Sequence, residues 1–176
     1  MQKVKLPVEI DPFKTAKRKL DYQGLLEVIR LPRLNDAILK VNSDVDVWLR
    51  FGTDPQGLVV VQGRALTEVE LECQRCNETF SFPIDVEFTY SPVCDESQID
   101  ELPEDYEPLQ LDDDNYFVVA ELIEDELLLS LPIIAKHPLE DCKVKQNEQV
   151  FGKIEVVEEE SKPNPFAVLE SLKKKD

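Results

Sequence analysis

The sequence predicts an α+β fold: an antiparallel β-meander, a sheet of three or more strands, packed by a helix. Three observations predict it. Val45, Val47, Leu49 and Phe51 are apolar at alternate positions while Asn42, Asp44, Asp46 and Arg50 between them are polar, the two-residue period of a half-buried strand. The same period returns over Val59, Val61, Ala65, Val69 and Leu71, then on the even register over Phe80, Phe82, Ile84, Val86, Phe88 and Tyr90. Helical spacing takes over between Phe117 and Leu131, where Leu122, Ile123, Leu127, Leu128 and Leu131 make a wide apolar surface. At 176 residues and 42% hydrophobic, the chain suits one domain with a sizeable core.

In chain order, the first forty residues form an approach segment. Lys14, Lys17, Arg18 and Lys19 cluster there on a turn or short helix before Leu20–Leu31; they either face water or touch phosphate or a partner. In the first strand Trp48 interrupts the polar register, as a ring covering the sheet face or as a contact patch. Asp54-Pro55-Gln56-Gly57 is a turn, with proline restricting the backbone and glycine permitting positive φ. The strand that follows runs to Cys73 and is expected to bend or bulge near Gly63. Pro83 falls on the polar register of the next strand and marks it as an edge.

Residues 91–116 lose all periodicity and read as a long acidic loop. The helix after it places Glu121, Glu124 and Asp125 on one stripe and stops at Pro132. The expected layout is a single domain over 1–152, a charged linker over 153–163, and a short amphipathic helix over 164–176. In that helix Asn164 is the N-cap, Pro165 the first helical residue, and Phe166, Leu169 and Leu172 share one face for docking on a partner or on the domain itself. Lys173, Lys174 and Lys175 complement its C-terminus and are further candidates for RNA or partner contact.

Charge narrows the function. There are 37 acidic and 20 basic residues, a formal net charge of -17. Up to Tyr90 the chain has 12 basic and 14 acidic residues, against 8 and 23 from Ser91 onward. Between Asp95 and Glu126 stand 14 acidic residues and no Lys or Arg, which suits either plain solubility or an acidic face offered to a basic protein. Nonspecific binding of nucleic acid needs a basic surface and is not expected. The first ten residues lack the apolar core of a signal peptide, and no window reaches the roughly 18 apolar residues of a membrane span. A cytoplasmic protein is expected, with cysteines present as thiols or metal ligands.

The densest chemistry is Cys73-Gln74-Arg75-Cys76, lying between two strands. A Cys-x-x-Cys in a β-turn is half of a zinc knuckle, which wants a residue tolerant of positive φ after the second cysteine, and Asn77 is one. His137 and Cys142, four residues between them, would complete a Cys3His set, with Cys94 as an alternative fourth ligand. The competing readings are reduced cysteines at small apolar positions and a thiol oxidoreductase. The last would place the pair at a helix N-terminus in a βαβ unit, a context absent here. The chain has no phosphate-binding glycine loop, five glycines in all and one histidine, so no catalytic constellation is expected.

The opening Met1-Gln2-Lys3-Val4-Lys5-Leu6-Pro7, the run Leu71–Cys76, Glu124-Asp125-Glu126 with Leu131-Pro132, and the closing Lys162-Pro163-Asn164-Pro165-Phe166-Ala167-Val168-Leu169 together resemble the YceD family, the large ribosomal RNA subunit accumulation proteins. The resemblance spans nearly the whole chain. It implies a non-enzymatic cytoplasmic factor in ribosome biogenesis, needed for synthesis, processing or accumulation of the large-subunit (23S) RNA. Partners would be large-subunit ribosomal or assembly proteins, with the effect on RNA indirect. Many relatives carry a second cysteine knuckle after the helix; here that stretch holds Cys142 alone, followed by Lys143-Val144-Lys145-Gln146. A zinc-stabilised interaction adaptor without a ribosomal role is the alternative.

Overall fold

The structure is a computed structural model that describes residues 5–144. The linker 153–163, the helix 164–176, and with them Phe166, Leu169, Leu172, Lys173, Lys174 and Lys175, lie outside the described residues.

Three long strands form the centre of the fold where alternation is strongest: β4 (Val45–Thr53), β5 (Val59–Glu72) and β6 (Thr79–Val93). They pair antiparallel as a meander. The β4–β5 turn follows from its sequence: Asp54 Oδ1 accepts from the backbone of Gln56 at 2.9 Å and Leu58 at 2.8 Å, and Gly57 sits at φ 93°. Apolar positions of the three strands face one side, where Val45, Val47, Val61, Ala65 and Val69 are fully buried.

The expected bulge at Gly63 is corrected. The β5 register is unbroken against both neighbours, and Gly63 serves a different purpose. The Phe88 ring lies across it, so that a Cβ there would stand 2.0 Å from the ring. Pro83 does lie beside a free edge, because β6 pairs only with β5 at that point, opposite Glu68.

The sheet has six strands and is mixed, which corrects the purely antiparallel expectation. β2 (Asp21–Leu26) adds antiparallel to β4, and β3 (Lys40–Val41) pairs with the far end of β5. The stretch 91–116, expected as a loop, contains β7 (Glu107–Gln110), which lies parallel to Tyr90–Val93 of β6. It also holds a 3-10 turn over Glu96–Glu101 that starts with a capping box at Asp95. β1 (Glu9–Ile10) and β8 (Phe117–Val118) make a separate antiparallel pair.

Helices cover the apolar face. α1 (Pro12–Arg18) starts at Asp11, whose carboxylate accepts from the Lys14 backbone at 2.9 Å, and ends with Lys19 in the left-handed region at φ 53°. α2 (Pro32–Ala37) has no side-chain cap of its own. Its first turn is capped by α3 (Val119–Leu129), the helix the periodicity predicted. Glu124 is 3% exposed; its two oxygens accept from the Leu34 backbone at 3.0 Å and from Arg33 Nε at 2.8 Å. The stripe Glu121–Glu124–Asp125 is split by burial, with Glu121 and Asp125 exposed and Glu124 turned into the protein. Ile123 and Leu127, both fully buried, complete the core.

Candidate metal centre

β5 ends at Glu72 and β6 begins at Thr79, so the six residues between them must reverse the chain. Cys73 N–H donates to Glu78 O at 2.8 Å and Asn77 N–H donates to Cys73 O at 2.8 Å, closing the knuckle. Asn77 takes φ 58°, the left-handed position the sequence called for. The turn thus gathers both thiols on its concave side, next to backbone amides.

The second half arrives from the segment after α3. Pro132 ends the helical region, and the chain returns to the hairpin, where Gln74 N–H donates to Ala135 O at 2.9 Å. His137 stacks edge-on against Phe80, ring centroids 5.5 Å apart, and its Nε2 lies 3.5 Å from Cys76 Sγ. Cys142 reaches the same point. The ligand atoms of Cys73, Cys76, His137 and Cys142 all lie within 4.8 Å of one another. Tetrahedral zinc with Zn–S of about 2.3 Å needs neighbouring sulfurs about 3.8 Å apart, so small movements would bring these four to ligand distance. Cys73 and Cys142 are buried, His137 is 8% exposed, and Cys76 is half-buried. Three thiols and an imidazole directed at one sheltered point fit a soft divalent ion.

The surroundings act differently on the two knuckle thiols. Burial pushes the Cys73 thiol up, but the backbone amides of Arg75, His137 and Cys76 outweigh it and hold the group down at about 6. For Cys76 the Glu78 amide favours the thiolate, yet burial and the neighbouring Cys73 and Cys142 raise it above the ordinary thiol value. The two knuckle thiols are thus pushed in opposite directions, as expected where several thiols crowd together.

Cys94, the alternative fourth ligand, lies elsewhere: it is exposed after β6 and donates to Asn115 Oδ1 at 3.1 Å. The pair Cys73–Cys76 sits in a β-hairpin, not at the helix N-terminus a thiol oxidoreductase uses. Sequence reasoning missed Arg75. Its Nε donates to Cys142 Sγ at 2.9 Å and its Nη2 to His137 O at 2.8 Å. Its place inside the Cys-x-x-Cys was the only signal.

Of the basic candidates, Lys14 pairs with Asp11 at 2.7 Å and lies 5.5 Å over the Tyr116 ring. Lys17 and Arg18 stand exposed in the last turn of α1, and Lys19 borders a depression with Asp21, Arg50 and Gly52. Lys14 is thus engaged with Asp11 and Tyr116, while Lys17, Arg18 and Lys19 are exposed. Trp48 is half-buried on the outer sheet face, between Gln23 and Arg64 in the register. It floors an open groove of about 730 Å³. Among the described residues no helix is long and apolar enough to cross a membrane.

Residues 61–173 match the family profile described as large ribosomal RNA subunit accumulation protein YceD. The matched span takes in the knuckle, α3 and the His137–Cys142 segment. The chain is also 49% identical over 177 residues to the large ribosomal RNA subunit accumulation protein YceD of Haemophilus influenzae, covering 99% of this chain and 100% of the relative. No solved structure matches the chain. With the profile covering more than half of its residues and the relative aligned end to end, this chain belongs to the YceD family of large ribosomal RNA subunit accumulation proteins.

Proposed function

We propose that this protein is a non-enzymatic ribosome biogenesis factor, required for large-subunit ribosomal RNA to accumulate, working in the cytoplasm through basic protein partners of the large subunit. The observation that carries the reading is the 49% identity, across the whole chain, to a protein named for that role.

The chain's own chemistry is consistent with a factor that binds and holds. Its one histidine belongs to the cysteine cluster, leaving no free imidazole for proton transfer at neutral pH. Cys73, Cys76, His137 and Cys142 would hold a zinc ion, which would supply a cross-link between the β5–β6 hairpin and the segment after α3. Four protein ligands close the coordination sphere, the arrangement of a structural site, whereas catalytic zinc keeps a position open. The partner surface is the acidic half. Asp112, Asp113, Asp114 and Glu121 are exposed, and a field of that sign steers a basic protein toward the molecule.

The test is a sedimentation profile of ribosomal particles, with probing of large-subunit precursor RNA, in cells lacking the protein. A deficit of mature large subunits that the wild-type chain restores is expected. A normal profile overturns the ribosomal reading and leaves a zinc-stabilised adaptor acting elsewhere. A variant with Cys73 and Cys76 both changed to Ser separates the two halves: restored subunits with no bound zinc would make the metal dispensable for the role.

A further inference from the structure

We infer that Arg75 is a positioning residue for the metal centre, clasping the His137–Cys142 arm to the Cys73–Cys76 knuckle and supplying the positive charge that three thiolates on one divalent ion require. The inference rests on the zinc reading above.

The arm has no strand or helix of its own between Ala135 and Cys142, so something other than secondary structure must fix it. Two adjacent residues of the knuckle do so. The Gln74 amide holds Ala135 O, and the Arg75 guanidinium spans the two ligands of the arm with one rigid plane, Nε on Cys142 Sγ and Nη2 on His137 O. A fork of donors with fixed spacing sets two acceptors at once, which the single ammonium of a lysine does not do. The hairpin therefore carries two of the ligands and holds the other two through Gln74 and Arg75.

A divalent ion with three thiolates and a neutral imidazole carries a net -1, and at this site Cys73 is 0% exposed and Cys142 3%. A buried charge needs a partner, and Arg75 is in hydrogen-bond contact with one of the sulfurs. Lys143, a cation near Cys76, is paired with Glu78. Arg75 thus brings the buried assembly to neutrality while placing one donor on a ligand sulfur and another on the backbone carbonyl of His137.

The test compares the full chain with Arg75→Met and Arg75→Lys. Zinc affinity is measured by competition with a chromophoric chelator. Thiolate ligation is read from the near-ultraviolet charge-transfer absorption of the cobalt(II)-substituted protein. Arg75→Met should lose about 10–100-fold in zinc affinity, the usual effect of removing an outer partner of a metal ligand. Its cobalt absorption should fall as Cys142 detaches, and Arg75→Lys should recover only part of either. Wild-type affinity and spectrum in Arg75→Met or Arg75→Lys would overturn the inference. A wild-type chain that takes up neither zinc nor cobalt would instead overturn the metal reading. The clasp is then judged alone by hydrogen exchange of the metal-free protein: faster exchange of 135–142 in Arg75→Met supports it, and unchanged exchange overturns it. Far-ultraviolet circular dichroism reports whether the sheet of each variant has formed; if Arg75→Met does not fold, Arg75→Lys carries the comparison.

Discussion

Glu124 and Glu126 stand two positions apart on α3, both buried, and they meet different environments. Glu124 is satisfied by Arg33 and by the first turn of α2, so its charge is compensated where it lies. Glu126 accepts from the Tyr90 hydroxyl, a neutral donor, while Glu107 and Asp125 repel it. Burial, followed by those two carboxylates, raises its carboxyl above the ordinary value, with the Tyr90 hydrogen bond opposing. A raised carboxyl favours the folded state when protonated: its contribution is full below the unfolded value near pH 4.3 and is lost as pH climbs through the folded value. Glu126→Gln keeps an acceptor for Tyr90 and carries no charge at any pH. It should be more stable than the wild type at pH 8, by about 1.4 kcal/mol for each unit by which the carboxyl is raised, and the difference should vanish near pH 4. Urea unfolding at pH 4, 5.5 and 8 checks this; a destabilisation of equal size at all three would show that Gln fails sterically and that ionisation is irrelevant.

At the scale of elements, the β5–β6 pair is held by a fit the strand period does not reveal. Gly63 lies opposite Phe88, and the ring takes the space where a side chain would be. Gly63→Ala should cost roughly 1–3 kcal/mol, the usual cost of overpacking a core. Pairing it with Phe88→Leu should give a loss smaller than the sum of the two, since the clash goes with the ring. Strict additivity in thermal melts would refute the fit. The alternation around Gly63 was readable because each of β4, β5 and β6 buries one face, and α3 because its apolar surface is wide. β2 was not: Asp-Tyr-Gln-Gly-Leu-Leu ends in two successive leucines, and it is a strand because β4 offers it an edge. β7 is four residues long and holds Glu, Pro and Gln around Leu109, so only its parallel pairing with Tyr90–Val93 defines it. All four residues of the cysteine cluster were legible from their spacing. The knuckle announced itself by spacing and by Asn77, whereas the inward turn of Arg75 depends on partners 62 and 67 residues away, and that of Glu124 on one 90 residues away.

The whole molecule is defined by the uneven spread of its -17 charge, and the structure sorts the acidic residues by what each does. Glu124 and Glu126 are structural, and Asp125 is paired with Arg33 at 2.6 Å. Asp112 caps its own turn, accepting from the backbone of Asp114 at 3.0 Å and Tyr116 at 2.7 Å. Asp113, Asp114 and Glu121 are exposed and have no ion-pair partner among the described residues. If this field attracts a basic large-subunit protein, neutralising it should weaken association without unfolding the chain. Asp112→Asn, Asp113→Asn, Asp114→Asn and Glu121→Gln together remove four negative charges, while the side-chain amide introduced at position 112 retains the oxygen that closes the turn. The melting temperature should hold or rise slightly, because self-repulsion falls. Cosedimentation with large-subunit precursor particles should drop severalfold at about 50 mM salt, and the gap from wild type should close by about 300 mM, where the screening length shrinks to roughly 6 Å. Equal cosedimentation at low salt would mean that the acidic half serves only solubility and that the partner docks on another face.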